Sequence, residues 1–172
     1  NLLEHILKSF LLTVPEVLNE LESQHQVKKV AFVVYTSNSS LCGGFNNNVI
    51  KMLGSAIDDY KAQGINDIIV YPIGRKVEEY VVKQGLTKAG SYLELVDKPN
   101  SAGCAAIAKE LRDKFLAHEI DKVEIIYHHF KSAGSQILTR KTYLPIDLST
   151  ESIGNENDRD LSSNTITAKS QE

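Results

Sequence analysis

Three short runs of apolar, largely β-branched residues constrain this chain more than anything else in it. They are Val30–Tyr35 (Val-Ala-Phe-Val-Val-Tyr), Asp67–Pro72 (Asp-Ile-Ile-Val-Tyr-Pro) and Val123–Tyr127 (Val-Glu-Ile-Ile-Tyr). Each is strand length and nearly unbroken in apolarity, the pattern of a strand covered on both faces, as in parallel sheets. Helical patterns separate them. Val49, Ile50, Leu53, Ala56, Ile57 and Tyr60 line one face of a helix that Asn46, Asn47 and Asn48 are placed to cap and Gly64 stops. Gly74 precedes a second helix with Val77, Tyr80 and Val81 inward, closed by Gly85. Ser101 opens a third, carrying Ala105, Ala108, Leu111, Phe115 and Leu116. Leu86–Val96 is weaker and predicts a short strand at Tyr92–Leu95. After Gly134, residues Gln136–Leu144 alternate loosely, as expected for an antiparallel last strand. Strand–helix alternation of this kind predicts an α/β, Rossmann-like, mostly parallel sheet with helices on both faces.

The ends read differently. Leu3, Ile6, Leu7, Phe10 and Leu11 recur at helical spacing with Glu4, His5 and Lys8 between them, and Pro15 interrupts. Beyond Pro145 the chain is rich in Ser, Thr, Asn, Asp and Glu and poor in large apolar side chains, so a polar, mobile tail is expected. The expected organisation is an N-terminal helix and connection at residues 1–26, a Rossmann-like domain at 27–146 and a tail or tether at 147–172. Asn1 leads straight into the amphipathic pattern, as in a piece cut from a longer protein or a processed terminus.

Composition narrows the function classes. With 172 residues, 42% of them hydrophobic, the chain suffices for one core. A net charge of -3 provides no basic field for nucleic acid or an anionic membrane surface. No run of about 18 apolar residues is present to span a membrane, and no signal-peptide pattern opens the chain. Cys42 and Cys104, far apart in sequence, do not form a disulfide framework, which favours a reducing compartment.

The loop after the first strand is the usual ligand site of a doubly wound sheet. Here it reads Thr36-Ser37-Asn38-Ser39-Ser40-Leu41-Cys42-Gly43-Gly44-Phe45-Asn46. It lacks the Gly-x-Gly-x-x-Gly spacing of dinucleotide sites and the Gly-Lys-Ser/Thr of phosphate loops. Gly43-Gly44 is expected to make a tight turn into the helix. The strand ends without the carboxylates with which a phospho-receiver domain would hold magnesium.

Cys42, near a helix N-terminus, is a conceivable nucleophile with His128 or His129 as base. Adjacent strand residues point to opposite faces, so at most one of the two histidines faces the loop. A packing cysteine is the simpler reading, and Cys104, among alanines, reads as core. His5, His25 and His118 form no metal-ligand spacing, and His118 is positioned to interact with its helix C-terminus. The pairs Asp58-Asp59 and Glu78-Glu79 read as solvated faces. Lys28-Lys29 and Arg140-Lys141 are small basic clusters. A flavodoxin-like ligand-binding domain also remains open from the pattern alone.

Leu41-Cys42-Gly43-Gly44-Phe45-Asn46, followed by Val49-Ile50-Lys51, resembles the segment after the first head-domain strand in gamma subunits of F-type ATP synthases. A second stretch, Val123-Glu124-Ile125-Ile126-Tyr127-His128-His129-Phe130-Lys131-Ser132, is similar to that family's strand ending in Tyr-x-x-Phe-x-Ser. Leu144-Pro145-Ile146 resembles the Leu-Leu-Pro-Leu that follows it. The two stretches occur in the family's order and separation, and the resemblance covers about Leu2–Ile146. It departs at Asn38-Ser39-Ser40, where the family has Asp-Arg-Gly.

The resemblance implies a rotor subunit, not itself catalytic and needing no cofactor or metal. It couples proton flow through a membrane ring to ATP synthesis in the beta subunits. The implied partners are the alpha and beta subunits, the epsilon subunit and the c-ring, with no nucleic acid and no membrane span. The implied location is peripheral, on the cytoplasmic face of the bacterial inner membrane. The N-terminal helix would be a remnant of the central shaft, and Leu41, Cys42, Gly43 and Asn46 would shape the loop or an interface rather than catalyse.

Overall fold

The apolar runs form the interior strands of a five-stranded sheet. A computed structural model describes residues 26–37, 43–97, 101–132 and 135–145. Its strands are β1 (Lys29–Tyr35), β2 (Asp67–Ile73), β3 (Thr87–Lys88), β4 (Lys122–Ser132) and β5 (Ser135–Leu144). Its helices are α1 (Gly43–Ala62), α2 (Arg75–Lys83), a single turn α3 (Glu94–Asp97) and α4 (Ser101–Leu116). The strand order is β3-β2-β1-β4-β5. β1 runs parallel to both β2 and β4, β2 runs parallel to β3, and β5 returns antiparallel along β4. The expected Rossmann-like, mostly parallel sheet with an antiparallel last strand is therefore present.

Side-chain alternation divides the interior strands between two cores. Val30, Phe32, Val34, Ile68, Val70 and Ile126 pack with Val49, Leu53, Ala56 and Ile57 of α1 and Val77 and Val81 of α2. Ala31, Val33, Tyr71, Ile73, Val123, Ile125 and Tyr127 pack with Cys104, Ile107, Ala108, Leu111 and Phe115 of α4. Helices thus cover both faces of the sheet, which is why these strands carry almost no polar side chains. Cys104 is core, as expected, and burial pushes its thiol pKa up.

Two sequence expectations are corrected. Tyr92–Leu95 is not a strand: the chain forms α3 there, and the short edge strand is Thr87–Lys88. Tyr92 instead lays its ring beside Tyr71, with centroids 6.4 Å apart, so its apolarity serves packing over the sheet rather than pairing within it. Asn46–Asn48 do not cap α1, which already starts at Gly43. Gly43 and Gly44 accordingly lie in the first turn of the helix instead of a tight turn before it.

All three long helices end in the same way. The residue after the cap donates back to the second-last carbonyl, and its successor donates to the one before that. In α1 these bonds are Gly64 to Lys61 and Ile65 to Tyr60, in α2 Gly85 to Val82 and Leu86 to Val81, and in α4 His118 to Phe115 and Glu119 to Lys114. The reversing residue needs a positive φ. Gly64 and Gly85 supply it as expected, but in α4 His118 takes it, at 64°. His118 thus closes the helix with its own backbone. At the other end of the sheet, Asp121 accepts from the backbone N–H groups of Lys28 and Lys29 at 2.9 and 3.0 Å and fixes the entry to β1. The N-terminal helix expected at residues 1–26 lies outside the described residues except for Gln26, and the tail from 147 lies wholly outside them.

Candidate functional site: the carboxyl end of the first strand

β1 sits where the strand order changes direction, with β2 on one side and β4 on the other. In an open α/β sheet this is the crevice where ligands bind. Here Thr36, Ser37, Asn46, Phe45 and His128 gather at that end of the sheet. Thr36 follows β1 directly and is completely buried. Thr36 Oγ1 accepts from the Val77 backbone N–H at 3.1 Å, caring for an N-terminal donor of α2 that Gly74, its cap, has no side chain to meet. The Thr36 N–H donates to the Ile73 carbonyl at 2.8 Å. Gly74 runs at a φ of 120°, and a Cβ there would stand 2.1 Å from the Thr36 carbonyl oxygen. The end of β1 and the start of α2 are thus joined closely enough that only glycine fits.

The next residue begins the loop. Ser37 donates its backbone N–H to Asn46 Oδ1 at 2.9 Å, and Asn46 Nδ2 donates to Ser37 Oγ at 2.9 Å. Asn46 is 2% exposed. Its amide therefore clasps the two ends of the loop, donor to acceptor and acceptor to donor. Asn46 is one of the residues the sequence singled out, and both of these bonds run to Ser37. Gly43 is exposed, and a Cβ built there meets nothing within 4 Å. Leu41 and Cys42 lie outside the described residues.

Phe45, beside Asn46, stacks on His128 with ring centroids 4.0 Å apart and an interplanar angle of 21°. Because Val34 pairs with Ile126, His128 stands level with Thr36, just past the end of β1. Burial pushes the imidazole pKa down to about 4. His129 points the other way, edge-on to Tyr127 at 6.2 Å. As strand alternation predicted, only one histidine faces the loop, and its ring is occupied by Phe45.

A polar cluster that sequence reading missed lies lower on the same face. Glu124, 2% exposed, is held by Arg140 through Nε–Oε1 at 2.5 Å and Nη2–Oε2 at 3.2 Å, and the Tyr60 hydroxyl donates to its Oε2. Arg140 Nη1 also reaches Asp59 at 3.2 Å. Burial first, then the bond to the Glu124 carboxylate, push the Tyr60 phenol pKa well above its usual range. Asp59, exposed as expected of a solvated face, and Arg140, read as part of a small basic cluster, are therefore partners between α1 and β5. The signal available was a charged residue inside an apolar strand, Glu124 in Val-Glu-Ile-Ile, which demands a partner. Glu78, likewise read as solvated, binds Lys88 Nζ at 3.2 Å and the Ser91 hydroxyl at 2.7 Å. It also lines a groove of about 430 Å³ along α2 with Arg75, Glu79, Val82, Lys83 and Leu93. Among the described residues, no group of three or more His, Cys, Asp or Glu side chains could hold a metal ion, and no helix is long and apolar enough to cross a membrane.

A family model described as ATP synthase matches residues 1–172. The chain belongs to the ATP synthase family. Its relatives there are gamma chains. It is 48% identical over 149 residues to the ATP synthase gamma chain of Phocaeicola vulgatus, a match covering 87% of this chain and 52% of the relative. The gamma chain of Bacteroides fragilis is 49% identical over 147 residues, covering 86% and 51%. The chain spans about half the length of these curated relatives. Among solved structures, a chain from the cryo-EM structure of the Tetrahymena thermophila mitochondrial ATP synthase central stalk and c-ring superposes with a TM-score of 0.55 at 20% identity. That match covers 76% of this chain and 58% of the other, and it shows a shared fold. The recognition carried by Leu41–Asn46 and Val123–Ser132 in this ATP synthase family member thus agrees with the sequence family and the fold.

Proposed function

We propose that this chain is the head of the gamma subunit in an F-type ATP synthase, a rotor part that transmits rotation between the membrane ring and the catalytic subunits. In this reading the head sits at the foot of the central stalk. It lies beside the epsilon subunit and the c-ring, at the cytoplasmic face of the bacterial membrane, and the alpha and beta subunits surround the shaft above. The head catalyses nothing, and ATP chemistry belongs to the beta subunits. The loop held between Ser37 and Asn46, including Leu41, Cys42 and Gly43, is a contact surface toward a catalytic subunit.

One observation carries the reading: the Phe45–His128 stack stands at the sheet end where this fold ordinarily receives a nucleotide, in a chain whose family is that of ATP synthase. A rotor head needs a stiff body with shaped surfaces, and this arrangement supplies one. Fold alone assigns no activity. The same stack counts against a Cys42 enzyme, because His128, the histidine facing the loop, is engaged with Phe45.

Two measurements test the proposal. Calorimetry of this chain with ATP, ADP and NAD is expected to show no binding at micromolar concentrations, and saturable binding there would overturn the reading. The cognate epsilon subunit is expected to be retained by the immobilised full-length gamma subunit. An empty pull-down, with the gamma subunit shown to be folded, would remove the rotor assignment.

A further inference from the structure

Between β4 and α1 sits an imidazole whose buried Nδ1 meets no polar group among the described residues. His128 is 8% exposed, and its Nδ1 is buried without a hydrogen-bond partner among the described residues. Its ring lies against Phe45. Phe45 belongs to the first turn of α1 and adjoins Asn46, which fastens Ser37. We propose that the Phe45–His128 stack is an acid-operated latch: a proton on the imidazole undocks the first turn of α1 from β4 and frees the Asn46–Ser37 clasp.

The chemistry follows from what the two forms of histidine require. A neutral ring can be hidden at the cost of one unmet nitrogen, but the cation carries two N–H donors and a full charge. Among the described residues, no packed element brings a free anion to receive it. α1 presents Phe45, and the amide of Asn46 is engaged on Ser37. Thr36, just past β1 and level with His128, is engaged on α2. β5 places Leu138 directly opposite. The charged groups on this face are Lys122 and Glu124 of β4, Arg140 of β5 and Asp59 of α1, and they are tied to one another. Burial is what pushes the pKa of the docked ring down to about 4, from an ordinary 6.5. Attraction of the cation to the Phe45 face is smaller than the cost of a buried charge without an acceptor. Leaving the stack is the cheaper response.

The sign follows. The docked form keeps the ring neutral, whereas an undocked ring meets water and titrates near the ordinary value of 6.5. Between the two values the undocked form holds more protons, so acid favours undocking, by about tenfold per pH unit.

The test is amide exchange at Ser37, whose N–H is bonded to Asn46. After correction for the intrinsic pH dependence of exchange, protection at Ser37 is expected to fall about tenfold per unit as pH drops below about 6.5. Protection at Phe32, inside the sheet, is expected to hold. In His128→Phe the pH dependence at Ser37 is expected to vanish. Should that variant not fold, Phe45→Ala serves: uncovering the ring is expected to raise the His128 titration toward 6.5, read by NMR of its ring C–H. The same pH dependence in wild type and His128→Phe would overturn the latch, as would a His128 that titrates identically with and without Phe45. Every readout uses this chain alone, so failure here leaves the rotor proposal untouched.

Discussion

Arg140 holds the buried carboxylate of Glu124 with two nitrogens, across the β4–β5 hairpin, while Tyr60 of α1 bonds the same carboxylate from the helix above. The hairpin and α1, distant from it in sequence, are thereby joined at one buried charge. Removing Arg140 leaves that charge with only the Tyr60 hydroxyl and Lys122 Nζ at 3.8 Å, and breaking a buried pair costs about 3–5 kcal/mol. Arg140 is 25% exposed, so its loss is partly offset by solvent. We expect Arg140→Ala to cost about 3 kcal/mol in urea unfolding, and a combined Glu124→Leu, Arg140→Leu protein to recover most of it. A double-mutant cycle reads the coupling directly, and a coupling near zero would contradict the role assigned to the pair.

The Thr36–Gly74 approach makes a second test. Gly74→Ala forces a Cβ against the Thr36 carbonyl at a φ of 120°, so a loss of at least about 2 kcal/mol is expected. Thr36→Val keeps the volume but removes the acceptor for the Val77 N–H, and should cost about 1 kcal/mol. Thermal unfolding of the two variants ranks them, with Gly74→Ala expected to be the lower.

His118 predicts a gain. It occupies a left-handed position that glycine takes at the ends of α1 and α2. His118→Gly relieves the Cβ conflict while giving up some unfolded-state restriction, for a net stabilisation of about 0.5–1 kcal/mol. For a chain of this size that raises Tm by about 2 °C. A lowered Tm would show that the imidazole makes a contact worth more than the backbone strain.

Acid should weaken the fold through His128. Its folded pKa of about 4 lies below the ordinary 6.5. The unfolded chain therefore binds more protons between those values. The contribution of the neutral buried ring is complete above pH 6.5 and is lost as pH falls toward 4, to a limit of about 3 kcal/mol. Comparing urea midpoints of wild type and His128→Phe from pH 7 to pH 4.5 isolates this share from that of the carboxylates. The gap between the two proteins is expected to widen in favour of His128→Phe as pH falls.

Much of the architecture was legible before any coordinates. Val30–Tyr35, Asp67–Pro72 and Val123–Tyr127 announce strands covered on both sides because no other placement buries so many consecutive apolar side chains. Gly64 and Gly85 mark helix ends because a reversing chain needs the left-handed region. Tyr92–Leu95 misled, since a short apolar run looks the same whether it pairs in a sheet or lies over one. The family, too, was written in Leu41–Asn46 and Val123–Ser132, because the pattern lies in residue identity and order alone.

Other features required three dimensions. Asn46 reads as a helix cap from its neighbours, but it becomes a clasp because α1 begins at Gly43 and brings its amide to Ser37. Asp59 and Arg140 meet although far apart in the chain, and His128 rather than His129 faces Phe45. The division has a physical origin. Burial periodicity, turn chemistry and motif order are properties of neighbouring residues, so the sequence alone determined strands, helix ends and family. Which polar groups end up bonded, and which ring stacks on which, depend on distances between separate elements, and only the tertiary structure decided those.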